Sequence, residues 1–159
     1  MACYNPTHIS HTMLYLGADH AGFELKEAIK EFLRLQTIEF EDLGPKTMVP
    51  DDDYPAVAHA VAAAVAADPE KSRGILFCAN GIGVCVAANK HANIRAGIGY
   101  NLKAAETMRT DDNANILCLA GMVLQPDFAR AIARKFLDTK FSGDARHVRR
   151  LAQIAKFEK

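Results

Sequence analysis

Residues 74–90 read GILFCANGIGVCVAANK, an apolar block followed by a glycine-rich turn and the start of a helix. The apolar block predicts a buried strand, and Gly81 and Gly83 allow a turn without crowding by a Cβ atom. Cys78 stands where the strand becomes the turn. The free N–H groups and positive dipole end of the following helix would face this thiol, so the stretch predicts an anion-binding turn beside a cysteine.

Short apolar runs alternate with helical stretches along the rest of the chain. This alternation predicts one α/β domain at residues 13–159, with a five-stranded, mostly parallel sheet covered by helices on both faces, after an extension at residues 1–12. The predicted strands are Met13–Gly17, Thr37–Asp42, Gly74–Cys78, Ile94–Gly99 and Asn115–Ala120. The predicted helices are Gly22–Leu35, Tyr54–Ala67, Gly83–Lys90, Asn101–Arg109, Gln125–Leu137 and a C-terminal helix at Asp144–Phe157.

The composition limits the classes of function. The chain has 159 residues, half of them apolar, and 19 basic residues against 19 acidic ones. This balance gives no electrostatic case for binding nucleic acid or an anionic membrane, and no apolar run is long enough to span a membrane. The first twelve residues lack a signal-peptide profile, and the four cysteines form no zinc or disulfide pattern. We expect a cytoplasmic protein without a bound metal.

In an open parallel sheet, ligands bind beyond the carboxyl ends of the strands, near the point where strand order reverses. That rule selects Asp19 and His20 after the first strand and residues 78–83 after the third. Asp19 is equally well explained as a helix N-cap, whereas a histidine beside this turn can bind hydroxyl groups and carry protons near neutral pH.

Two further polar segments are candidates. Arg146 and Arg150 lie four residues apart, so a helix would place both guanidinium groups on one face with His147 nearby, which suits a phosphate. The alternative is a solvated basic helix end. At Asp111–Asp112 the two carboxylates repel each other, so one would have a raised pKa in a partly dry site, and the alternative there is a solvated loop.

The glycine turn resembles a dinucleotide-binding loop only in part. The full G-x-G-x-x-G pattern is absent, because Val84, Cys85 and Val86 follow Gly83. The second strand ends in Glu41–Asp42 without a convincing context for binding ribose. A dinucleotide cofactor is therefore disfavoured.

Several segments together resemble the type B ribose-5-phosphate isomerases, over nearly the whole chain after Thr12. The superfamily also includes the galactose-6-phosphate isomerase subunits. The segments that carry the resemblance are GADHAGFELK at 17–26, DYP at 53–55, residues 74–90, NAN at 113–115 and residues 141–150.

The resemblance implies a Rossmann-like, three-layer fold and a homodimer, or a dimer of dimers, whose active sites are shared between subunits. It implies that Cys78 is the base that moves a proton between C1 and C2 of a sugar phosphate, with no cofactor. Asp19 and His20 would bind the open-chain sugar or its phosphate, and the partner's helix would grip the phosphate. The remaining implied substrate-binding residues are Tyr54, Ala79, Asn80, Gly81, Ile82, Gly83, Asp112, Arg146, His147 and Arg150.

Three positions differ from the usual pattern of these isomerases. Asp111 stands where most members have the histidine that opens the furanose ring, Met122 replaces an arginine after the fifth strand, and Asn80 stands where threonine or serine is common. Val84 occupies the place of a glutamate base found in another branch, which leaves Cys78 as the base. Asp111 is then the candidate acid or base for ring opening.

Three functions therefore remain open from the sequence. The first is isomerisation of ribose 5-phosphate and ribulose 5-phosphate. The second is isomerisation of a six-carbon ester such as allose or galactose 6-phosphate, because Asp111 and Met122 reshape the site. The third is binding of a sugar phosphate or a nucleotide without catalysis.

Overall fold

A computed structural model describes residues 13–158, in which strands alternate with helices. The strands are β1 (Met13–Ala18), β2 (Glu41–Asp42), β3 (Ser72–Cys78), β4 (Ala96–Ile98) and β5 (Ile116–Ala120). The helices are α1 (Phe23–Leu35), α2 (Tyr54–Ala67), α3 (Ile82–Ala88), α4 (Leu102–Thr110), α5 (Pro126–Asp138) and α6 (Ala145–Ala155). The strands form one parallel sheet in the order β2-β1-β3-β5-β4, which confirms the predicted fold class.

The alternation of side chains along each strand builds two cores. In β3, Ile75 and Phe77 face the core formed with α1, α4 and α5, whereas Leu76 and Cys78 face the core formed with α2 and α3. Because successive residues of a strand point to opposite faces, a strand buried on both sides must be apolar throughout. The result is the expected arrangement of a sheet between two helical layers.

The second and fourth strands are shorter than predicted. β2 contains only Glu41 and Asp42, because the chain leaves α1 through Thr37 in a left-handed conformation (φ 56°) and reaches β1 only at Glu41. β4 begins at Ala96 rather than Ile94. β-propensity alone does not show where a neighbouring strand becomes available for pairing. The predicted extension at residues 1–12 lies outside the described residues, and the domain boundary at residue 13 stays a prediction.

Strand order reverses between β1 and β3, which are neighbours in the sheet. From β1 the chain moves outward to β2, then returns to the other side of β1 as β3. A Cβ atom on Gly22 would lie 2.5 Å from the backbone carbon of Phe77, so glycine allows the turn after β1 to pack on the end of β3. This close packing brings Asp19 and Cys78 to one edge of the sheet.

Candidate active site

The glycine turn between β3 and α3 is fixed by its backbone. Gly81 has a φ of 76°, a left-handed conformation that favours glycine, and a Cβ there would lie 3.3 Å from the backbone of Leu119. The side-chain oxygen of Asn80 accepts a hydrogen bond from the N–H of Ile82 at 3.0 Å. The N–H of Gly83, in the first turn of α3, has no acceptor within the helix and is suited to bind an oxyanion.

Tyr54, the first residue of α2, covers this turn. A Cβ atom on Gly83 would lie 2.7 Å from the Tyr54 ring, so the ring packs directly against the glycine. The end of β5 closes the other side, because the N–H of Gly121 donates to the carbonyl of Cys78 at 2.8 Å and that of Met122 donates to Ala79 at 3.0 Å. The start of α2 and the end of β5 therefore hold the predicted anion-binding turn from two sides.

Cys78 lies at the base of the turn and is only 4% exposed. Its sulfur lies 3.9 Å from the side-chain oxygen of Asn80, to which the thiol can donate. It contributes to the core under α2 and α3. In a single chain the thiol is therefore covered from bulk solvent.

Asp19 and His20 follow β1 at the same edge. Asp19 is 6% exposed, and one of its carboxylate oxygens accepts a hydrogen bond from the N–H of Gly22 at 2.9 Å. Asp19 is therefore not the N-cap of α1, which is Gly22; its carboxylate instead fixes the turn that leads from β1 to the helix. The side chain of His20 is 40% exposed and is free to meet a ligand from solvent.

Asp52, which is not among the site residues predicted from the sequence, is a neighbour of His20. One Asp52 carboxylate oxygen accepts from the His20 backbone N–H at 2.6 Å and lies 3.0 Å from the ring Nδ1. The hydrogen bond to Asp52 raises the pKa of His20 above 6.5; burial opposes this effect, and the charge of Asp19 adds to it. Asp52 lies among three consecutive aspartates, and only the path of the loop shows which of them meets His20.

Asp111 lies away from these residues, at the opposite edge of the sheet. α4 runs from the carboxyl end of β4 back to the amino end of β5, and Asp111 follows its last turn. Its carboxylate accepts a 2.6 Å hydrogen bond from the Thr110 hydroxyl and lies 3.8 Å from Nε2 of His147. Thus Asp111 is grouped with α6.

The expected raised pKa at Asp111–Asp112 is wrong for Asp111. The hydrogen bond from Thr110 lowers the pKa of Asp111 below 3.8, and the charges of His147 and Arg146 add to this effect against a smaller opposing effect of burial. The side chain is 41% exposed, so it is not in the partly dry site that the expectation required. Asp111 is ionised at neutral pH and can accept a proton or a hydrogen bond there.

α6 carries the predicted phosphate-binding group. Arg146 and Arg150 are exposed on this helix, whereas His147 is buried and accepts a 3.0 Å hydrogen bond from Nε of Arg146. Asp112 is exposed and lines a cavity of about 670 Å³ between α6 and the amino edge of the sheet. The structure therefore brings Asp111, Arg146 and His147 together, but as a group separate from Cys78.

The predicted site residues thus form two groups in one chain. We call the group at the carboxyl edge the thiol half-site; it contains Asp19, His20, Tyr54 and residues 78–83. We call the group at the amino edge the arginine half-site; it contains Asp111, Asp112, Arg146, His147 and Arg150. The nine residues of α4 separate the two edges by about 13 Å at the usual rise per residue.

Two classes of feature are absent from the described part of the chain. Between residues 13 and 158, no cluster of three or more His, Cys, Asp or Glu side chains is arranged to hold a metal ion. Over the same residues, none of the helices has the length and apolar character needed to cross a bilayer.

The chain is similar to known sugar-phosphate isomerases over most of its length. A probable ribose-5-phosphate isomerase B from Mycoplasma pneumoniae is 39% identical over 146 residues, which cover 92% of this chain and 95% of the relative. A ribose-5-phosphate isomerase B from Mycobacterium tuberculosis is 37% identical over 95% of this chain and 93% of its own.

Solved structures give the same result. The crystal structure of ribose-5-phosphate isomerase B from Mycoplasma genitalium with bound ribulose-5-phosphate matches with a TM-score of 0.88 at 38% identity, over 92% of this chain and 95% of that one. The family model described as Ribose/Galactose Isomerase matches residues 14–154. The chain therefore belongs to the ribose/galactose isomerase family.

Proposed function

We propose that this protein interconverts ribose 5-phosphate and ribulose 5-phosphate. The observation that carries this function is the glycine turn at the β1/β3 switch point, where Cys78 lies beneath a set of backbone donors covered by Tyr54. The similar isomerase from Mycoplasma genitalium, solved with ribulose-5-phosphate, supports the choice of a five-carbon substrate.

Isomerisation requires movement of one proton between neighbouring carbons. In the proposed direction from aldose to ketose, the Cys78 thiolate removes the proton from C2, and an enediolate forms as electrons move toward the C1 oxygen. The thiol then returns the proton to C1 while the C2 hydroxyl proton passes to the C1 oxygen. The product has a C1 hydroxyl and a C2 carbonyl, so no electrons enter or leave the substrate. Backbone N–H groups of the turn, such as that of Gly83, stabilise the oxyanion, and one such donor is typically worth about 3 kcal/mol of barrier.

The phosphate is assigned to the cationic groups of both half-sites. Arg146 and Arg150 are exposed on one helix and match the charge and geometry of a phosphate, while His20 offers a further cation at the other edge. Binding energy from the phosphate would orient C1 and C2 over the turn, which is how contacts far from the reacting atoms raise the rate.

Within one chain the two half-sites lie at opposite edges of the sheet. We therefore propose that the active site forms between two copies of the protein in a homodimer or a dimer of dimers. A second copy would place its arginine half-site over the thiol half-site of the first and close the solvent-facing side. Exposed apolar residues on α3 and α6, namely Ile82, Val86, Val148 and Ile154, support this contact, since such surfaces mark interaction sites. We assign the enzyme to the cytoplasm.

Asp111 takes a narrower role in this scheme than the sequence suggested. As a carboxylate it can accept the proton of the C1 hydroxyl during ring opening, but it cannot donate a proton to the ring oxygen at neutral pH. We propose that the enzyme acts on the open-chain sugar that its substrate supplies spontaneously, with Asp111 assisting as an acceptor.

A coupled assay with ribose 5-phosphate tests the proposed function. We expect turnover, and we expect kcat/KM for ribose 5-phosphate to exceed that for allose 6-phosphate and galactose 6-phosphate. A preference for a six-carbon ester would replace the substrate assignment. Ligand-induced stabilisation without exchange of the C2 proton into solvent would instead indicate a binding protein without catalysis.

A further inference from the structure

The contact between His20 and Asp52 is more constrained than an ordinary surface ion pair. A single Asp52 oxygen is shared by the His20 backbone N–H at 2.6 Å and the ring Nδ1 at 3.0 Å, and the Asp52 carbonyl oxygen lies 3.3 Å from the same Nδ1. Both oxygens near Nδ1 are acceptors, so this ring nitrogen carries a proton and donates. The remaining ring nitrogen, Nε2, determines whether the ring is neutral or cationic.

The charges around His20 favour its cationic form. Within the described residues, the charged groups acting on it are Asp52 from the loop before α2 and Asp19 from the end of β1. Both are acids, and Asp19 is buried. The hydrogen bond to Asp52 is the main cause that raises the pKa of His20, and with these charges it outweighs the cost of burial, so the imidazolium is more populated near neutral pH than for a free histidine.

The loop that presents Asp52 is anchored at both ends. At its start, buried Lys26 donates to Asp42 at 3.2 Å and to the carbonyl of Pro45 at 2.8 Å, and the N–H of Gly44 donates to Asp42 at 3.1 Å. At its end, Tyr54 begins α2 and packs on the glycine turn. These anchors restrict the positions open to Asp52, so its contact with His20 is a property of the fold.

We propose that Asp52 is a positioning residue that holds His20 as an imidazolium, so that Nε2–H can bind the phosphate group of the substrate. This inference rests on the proposed function, because it assigns the phosphate to a site that would include His20. An imidazolium with Nδ1 occupied by Asp52 has one N–H left for the ligand and no lone pair, so it binds an anion and does not act as a base. Asp52 itself does not touch the substrate.

The experiment separates the charge of His20 from catalysis. NMR titration of the ring proton signals gives the pKa of His20 directly in the wild type and in Asp52→Asn. Inhibition by inorganic phosphate, and KM and kcat for ribose 5-phosphate, are measured between pH 5.5 and 8.5. Asp51→Asn is the matched control, because Asp51 is an exposed acid of the same loop.

We expect Asp52→Asn to lower the pKa of His20 and Asp51→Asn to leave it nearly unchanged. At pH 7.5 the inhibition constant of phosphate and the KM should rise in Asp52→Asn by up to about tenfold for each unit of pKa lost, with kcat within about twofold of wild type. At pH 5.5 both proteins carry the imidazolium, and the difference should disappear. His20→Gln should bind phosphate weakly and have a high KM at every pH.

Three results would overturn the inference. An unchanged pKa of His20 would remove the role of Asp52. A loss of phosphate affinity in Asp52→Asn that is equal at all pH values would show that Asp52 only shapes the loop. A fall in kcat of this variant at constant KM would make His20 a proton-transfer group. The NMR titration and a direct measurement of phosphate binding do not depend on turnover. They therefore test the role of Asp52 even if the protein does not isomerise ribose 5-phosphate.

Discussion

The two half-sites are held in different ways. The thiol half-site is built from tightly packed backbone, with Gly22 against Phe77 and Gly81 against Leu119, and its cysteine is nearly inaccessible. The arginines of the arginine half-site lie on α6, an exposed helix whose only buried residue is His147. A group that must stabilise a developing charge needs fixed donors, whereas a group that captures a charged substrate from solvent needs exposed cations.

The largest effect should come from the fixed half-site. Cys78→Ala should lower kcat by at least about a thousandfold, because it removes the proposed base while the turn and the phosphate-binding groups remain. The coupled assay measures turnover, and binding of ribose 5-phosphate by calorimetry should change little. Cys85→Ala is the control, since Cys85 is a partly buried thiol on α3 outside the thiol half-site. A Cys78→Ala enzyme with near-normal kcat would exclude the thiol as the base.

A hybrid dimer tests whether the two half-sites meet between chains. Cys78→Ala and the double variant Arg146→Ala/Arg150→Ala should each be nearly inactive at low substrate concentration. A hybrid with one chain of each kind, purified through two different tags, should regain about half of the wild-type activity, because one of its two sites is intact. A hybrid no more active than its parents would place the complete site within one chain.

A substitution in the buried ion cluster of Lys26, Lys30 and Asp42 should have a large effect on stability. Asp42 is bound at 2.9 Å by Lys26 and at 2.7 Å by Lys30, and Lys26 is fully buried. Asp42→Asn should lower the free energy of unfolding by about 3 kcal/mol, because it removes the buried counter-charge of two ammonium groups and leaves them only the partly exposed Glu27. Urea unfolding measures the loss, with Glu27→Gln as the control at the rim of the same cluster. A loss below about 1 kcal/mol would contradict this reasoning.

The same cluster sets a pH dependence. Burial alone would raise the pKa of Asp42, but hydrogen bonds from Lys30 and Lys26 outweigh it, and the pKa lies below 3.8. A carboxylate with a lowered folded-state pKa contributes its full stability above its unfolded pKa and loses it as the pH falls through the folded value. Unfolding curves between pH 2 and 6 should therefore converge for wild type and Asp42→Asn at the acid end.

The smallest effect should come from one arginine of the exposed half-site. Arg150→Ala should raise KM by about tenfold, equivalent to about 1.4 kcal/mol, with a smaller change in kcat if Arg146 still aligns the phosphate. Initial-rate kinetics with ribose 5-phosphate measure the change, and Arg149→Ala, its exposed neighbour, is the control for a general loss of positive charge. Equal effects of the two variants would reduce α6 to a nonspecific basic surface.

Much of the fold was predictable from local patterns. The apolar block at 74–78, the glycines at 81 and 83 and the periodic helices each specify their own conformation through backbone sterics and burial. The strands that depend on a partner were predicted less well: β2 begins four residues late, because pairing with Tyr15 and Leu16 decides where it forms. Candidate site residues were found where strand ends concentrate polar groups.

The sequence by itself determined an α/β sheet with a cysteine and a glycine turn at its switch point, because those features depend on residues close together in the chain. Only the tertiary structure decided that Asp52 meets His20, that His147 lies 3.8 Å from Asp111, and that α6 lies at the opposite edge from Cys78. The physical reason is the same in each case. Hydrogen bonds and electrostatic effects depend on distances in space, and for pairs such as His20 and Asp52 those distances follow from how the layers pack.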